Sequence, residues 1–131
     1  MVHGMIIKES LTDPALLADT VWEILDRYPM RMDGKIPIEI VMVNVARESL
    51  LDALQKVCKR LFPTRFYAHF VDGATMYVVY PGTVSIVERA DPASSRTCIQ
   101  LGQVFGIPEA QLPIEKMFQF GHAEHPEHKK Q

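Results

Sequence analysis

The sequence predicts an α/β protein of the α+β kind: a two-layer sandwich with a mixed sheet in the order β-α-β-α-β-β-β-α, its helices mainly on one face. Three observations carry that prediction. Two Asp-Pro pairs, at 13–14 and 91–92, stand at the heads of segments with apolar residues at helical spacing. A nearly continuous β-branched run over 38–45 reads as a strand buried on both faces. Between 66 and 88 the apolar period falls from helical to two, with glycine-containing turns between the runs.

Met5, Ile6 and Ile7 suit a first strand that ends near Ser10. Asp13 then offers an N-cap, and Pro14 stands at the first helical position, where a missing N–H costs nothing. Leu17, Val21, Ile24, Leu25 and Tyr28 follow at helical spacing, so a first helix is expected over 14–28, closed by Pro29. Residues 30–36 read as a polar connection with a turn at Asp33-Gly34.

After the central strand, 47–62 reads as an amphipathic helix. Leu50, Leu51, Leu54, Val57, Cys58, Leu61 and Phe62 share one face, charges cover the other, and Pro63 ends it. The segments 66–71, 75–80 and 83–88 are expected to form an antiparallel meander, turning at Asp72-Gly73 and Pro81-Gly82. Asp91-Pro92 opens a last helix, and Gly106-Ile107-Pro108 closes it with glycine as a left-handed cap. One or two loose turns are expected over 109–118. A strand-helix-strand opening implies parallel first strands joined by a crossover.

The chain of 131 residues fits one domain, placed at 1–120, with 121–131 read as a flexible polar tail. Its 47% hydrophobic and 23% charged residues are ordinary globular composition. A formal charge of −2 gives no general attraction for a polyanion, so nucleic acid is a disfavoured partner. Cys58 and Cys98 fall on apolar helix faces without a Cys-x-x-Cys spacing. They read as buried thiols of a reducing compartment. No apolar run approaches the roughly 20 residues of a membrane span, and residues 1–10 do not resemble a signal peptide. The expected location is the cytoplasm.

Several side chains could carry chemistry. His69 alternates with Tyr67 and Val71 on one strand face, where an imidazole could act as acid, base or ligand contact. Ser94, Ser95 and Arg96, at the head of the last helix, could hold a phosphate or carboxylate together with Arg89. Asp91 competes for the same backbone donors as a cap, and the segment lacks the glycines of a phosphate-wrapping loop. Lys56, Lys59, Arg60 and Arg65 form a modest basic stripe along the second helix.

In the tail, His122, His125 and His128 alternate with Glu124 and Glu127 and could supply ligands to zinc, nickel or copper. Pro126 forbids a regular helix there, so a solvated segment with at most adventitious metal binding is expected, and no cofactor.

With helices on one face only, the opposite face would carry Tyr67, His69, Val71 and an alternating set from 76–80. That face is too apolar to stay wet, and a second copy is the simplest cover. The functional expectation is a small non-catalytic binding or regulatory module acting as a homo-oligomer through the open sheet face. One alternative is a small enzyme built around His69 with Asp72 or Arg89. The other is an RNA- or DNA-binding protein using the basic stripe.

Overall fold

Apolar alternation in six segments resolves into one sheet. The computed structural model describes residues 1–32 and 34–119. The strands are β1 (Val2–Ile7), β2 (Trp22–Met32), β3 (Ile36–Val45), β4 (Ala68–Asp72), β5 (Thr75–Tyr80) and β6 (Thr83–Glu88). They lie in the order β2-β3-β1-β4-β5-β6, and every neighbouring pair is antiparallel. The helices are α1 (Leu50–Cys58), α2 (Pro92–Val104) and the single turn α3 (Ile114–Met117). The fold is therefore mixed α+β.

Much of the predicted punctuation is present. The meander turns where expected, and α1 and α2 fall inside their predicted segments. Asp91 caps α2 by accepting from the Ala93 amide at 3.0 Å. At the far end the amides of Gly106 and Ile107 donate to the carbonyls of Gln103 and Gly102, a Schellman-type stop.

The first third of the chain departs from expectation. Asp13 does cap, accepting from the Ala15 amide at 3.1 Å, but the helix that follows is a 3₁₀ piece, Pro14–Ala18. From Trp22 on, the predicted helix over 14–28 is replaced by an 11-residue strand, β2, paired along β3, and the connection predicted over 30–36 shortens to a turn that keeps Gly34 at positive φ. The cause is visible in the register, which shifts between Ile24 and Asp26. Trp22 and Ile24 lie opposite Val45 and Val43, whereas Tyr28 and Met30 lie opposite Ile40 and Ile38 on the other face. The bulge at Leu25 breaks period-two alternation into a spacing that imitates a helix. Pro29 is tolerated because β2 is an edge strand, where an N–H can be dispensed with.

A strand in place of the first helix removes the predicted parallel first pair: the chain crosses from β3 over β1 to β4 through α1 instead, and all neighbouring strands are antiparallel, so the sheet is not mixed. Nor do the helices share a face. α1 packs on the face carrying Val2 and Ile6 of β1, Val41 and Val43 of β3, and Phe70 of β4. α2 and residues 105–118 pack on the opposite face, against Met76, Val78, Tyr80 and Val87. β4 and β5 are apolar on both faces, so burying only one would leave the other wet. On the α2 side, Met5, Tyr28, Ile38, Ile40 and Met42 form a third buried cluster.

Candidate ligand groove and the His69 cavity

The residues singled out in the sequence separate into two places. Tyr67 and His69 lie beneath the segment that follows α2, whereas Arg89, Ser95 and Arg96 line an open groove at the head of α2. Ser94 joins neither. Its hydroxyl accepts from the Glu88 amide at 3.0 Å and donates to the Asp91 carbonyl at 2.8 Å, tying the helix start to the end of β6. Ser94 is thus a local brace, and its polar groups are already used.

Around His69 the sheet brings neighbouring strands together. Met5 of β1 is directly opposite His69, and His3 sits two residues further along the same face. A cavity of about 40 Å³ is lined by His3, Met5, Met42, His69, Val71 and Phe118, together with Gly4 and Gln119. That volume has room for water and not for a substrate of ordinary size. His3 Nδ1 lies 2.6 Å from Asn44 Oδ1. Sequence reading missed His3; it precedes the first recognised strand residue, and only its i, i+2 relation to Met5 could have placed it on this face.

The catalytic partners considered for His69 are not assembled with it. Asp72 lies three residues along β4, hence on the opposite face, and accepts two hydrogen bonds from Arg47 at 2.9 and 2.7 Å. The Arg47 guanidinium holds the Asp72 carboxyl below its usual range. Arg89 instead stacks over the Phe118 ring, 5.2 Å from its centroid; that ring lines the cavity, whereas Arg89 itself lines the groove.

Tyr67 and Tyr80 explain how α2 and the residues after it are held on the sheet. The Tyr67 hydroxyl donates to the Gln111 carbonyl at 2.6 Å, and the Tyr80 hydroxyl donates to the Cys98 carbonyl at 2.8 Å. Burial pushes the ionisation of both well above the ordinary tyrosine range, so both remain donors. Phe105 stacks on Tyr80 at 5.3 Å. Gly102 lets α2 approach closely, since a Cβ there would stand 2.6 Å from Leu112 Cδ1 and 3.0 Å from the Tyr80 oxygen and would push both aside. These contacts cover Tyr67, Val71 and the 76–80 set from within the chain. The bare sheet face expected from the sequence, and self-association across it, is replaced by that intramolecular cover.

The groove is larger, about 780 Å³, and runs between the first turns of α2 and residues 109–116. Arg89, Arg96 and Lys116 supply positive charge, Ser95 a hydroxyl, and Ile99, Leu112 and Ile114 an apolar wall. Glu109 and Glu115 line it as well. Arg89 reaches Glu115 at 3.8 Å, an exposed and weak pair. Among the described residues, neither Arg96 nor Lys116 has an ion-pair partner. Lys116 escaped notice in the sequence because 109–118 carries no motif; its place follows from how Leu112 and Ile114 dock.

The basic stripe is weaker than its sequence suggests. Lys56 is paired with Asp19 at 3.0 Å and with Asp52 at 3.2 Å, and those carboxylates raise its pKa. Cys58 is half-buried and Cys98 fully buried; both are free thiols pushed up in pKa by burial. His122, His125 and His128 lie outside the described residues, as does the tail predicted over 121–131. Among the described residues no group of three or more metal-ligating side chains converges, and no helix is long and apolar enough to cross a membrane. Compared with known families, curated proteins and solved structures, the chain matches none.

Proposed function

We propose that the chain is a small cytoplasmic binding or regulatory module, acting as a homo-oligomer, and that its ligand seat is the groove at the head of α2. The observation that carries this reading is the convergence of Arg89, Ser95, Arg96 and Lys116 along one apolar wall. Cations beside Ile99, Leu112 and Ile114 suit a partner with a carboxylate or phosphate at one end and an apolar body behind it. The carboxylates of Glu109 and Glu115 in the same lining disfavour a polyanion, which agrees with the charge of −2. Free thiols at Cys58 and Cys98 support a reducing location. The enzyme reading around His69 is the weaker one, since its cavity is small and Asp72 turns away from it.

Amide chemical shifts recorded during titration with phenyl phosphate and, separately, octanoate test the reading. Shifts confined to 93–99 and 109–116, saturating with a dissociation constant of about 1 mM or tighter, are the expected result. Arg96→Glu should abolish them. Absence of shifts in the groove with both probes would reject it as a ligand seat.

A further inference from the structure

The two edges of the sheet are β2 and β6, and they are built differently. β2 carries a bulge at Leu25, Pro29 in mid-strand, and the charged residues Glu23, Asp26, Arg27 and Arg31. These are the devices that stop a further strand from pairing. β6, Thr-Val-Ser-Ile-Val-Glu, has none of them before its last residue.

The register fixes which backbone groups of β6 are unpaired. Arg89, one residue past the strand, donates its amide inward to the Ala74 carbonyl, so the odd-numbered residues bond to β5. Val84, Ile86 and Glu88 therefore point outward. The Glu88 amide donates to Ser94 Oγ, and its carbonyl accepts from the Asp91 amide, so the start of α2 closes that end. Val84 and Ile86 remain, and among the described residues no hydrogen-bond partner is seen for the N–H or C=O of either. The Ile86 side chain is 55% exposed beside them.

We propose that β6 is the surface through which two copies associate, each β6 pairing antiparallel with the other about a two-fold axis at Ser85. This rests on the homo-oligomer reading above and names its interface. About that axis Val84 stands opposite the partner's Ile86 and exchanges both backbone hydrogen bonds with it, and the reverse pair does the same. The exposed apolar side chains meet across the seam. Glu88 falls beyond the end of the facing strand, so the two carboxylates do not confront each other. Because β2 is blocked, addition stops at two copies and gives a closed dimer instead of a fibre. A pair of six-residue strands buries less than a standard interface, so micromolar affinity is expected.

Sedimentation velocity over a concentration series, on the full chain, provides the test. Wild type should pass from monomer to dimer, while Ile86→Lys and Val84→Pro should remain monomeric with unchanged far-ultraviolet circular dichroism. Amide exchange at Val84 and Ile86 in the wild type should slow as concentration rises, which needs no substitution. A dimer that survives both substitutions, or whose Val84 and Ile86 amides gain no protection, would overturn the β6 assignment and leave the homo-oligomer reading standing. A wild type that stays monomeric throughout would overturn both and leave the edge to a strand of another protein.

Discussion

The two faces of the sheet are covered by different means. On the α1 face, strands present Val2, Ile6, Val41, Val43, Ala68 and Phe70 to Ala53, Leu54 and Val57 of the helix. Contact there is almost wholly apolar and is governed by volume. Gly4 shows how tightly: a Cβ at that position would lie 2.4 Å from the Phe70 ring. On the α2 face the cover is α2 and the mostly irregular chain after it, and two tyrosine hydroxyls fasten them by donating to backbone carbonyls, Tyr80 to Cys98 within α2 and Tyr67 to Gln111 beyond it. The difference teaches that helix packing suffices where a face is flat and aliphatic. A segment without its own hydrogen-bond ladder needs donors from below. The ligand groove is bounded by that fastened segment, so its shape depends on Tyr67 and Tyr80, although neither lines it.

Substitutions on either side can break this contrast. The largest effect should come from Phe70→Ala, which opens a cavity at the centre of the α1 face and should cost about 3–5 kcal/mol in urea unfolding. Both faces should be lost in one transition, because β4 and β5 contribute to each; separate transitions would show that the faces are independent. Alkaline titration sharpens the other side. Tyr67 and Tyr80 have pKa values raised by burial, so their contribution is complete below the unfolded tyrosine value of about 10. Above it the unfolded chain loses protons that the folded chain keeps. Stability should therefore fall by up to about 1.4 kcal/mol per pH unit for each tyrosine. Tyrosinate absorbance should lag behind that of a denatured control; ordinary titration of both rings would refute the fastening. Smallest should be Tyr80→Phe, at about 1 kcal/mol for one hydrogen bond. Its signature is local: faster amide exchange on α2 around Cys98 with little change on α1.

Legibility followed how locally each feature is specified. The caps at Asp13 and Asp91, the turns at Gly73 and Gly82, and the stop at Gly106 could all be read in advance, since each depends on a few adjacent residues. The same Asp-Pro signal nevertheless opened a five-residue 3₁₀ piece in one case and a 13-residue helix in the other. A cap marks where a helix can begin and says nothing of its length. Of the candidate site residues, Arg89, Ser95 and Arg96 were close in sequence and proved close in space. Lys116 was hidden, being joined to them only through the docking of Leu112 and Ile114. Asp72 was near His69 in sequence yet turned from it, because an odd separation along a strand places side chains on opposite faces.

By itself the sequence determined one domain-sized chain of ordinary composition, the antiparallel meander over 68–88, the helices α1 and α2, and the cations at the head of α2. These rest on local periodicity and on the backbone chemistry of proline, glycine and aspartate. Tertiary structure alone decided that 22–32 is a strand, that every strand is antiparallel, and that helices cover both faces. Those outcomes depend on pairing across the sheet. β3 needs a partner on each side, and it recruits β2 through a bulge whose spacing looks helical until the facing residues are known.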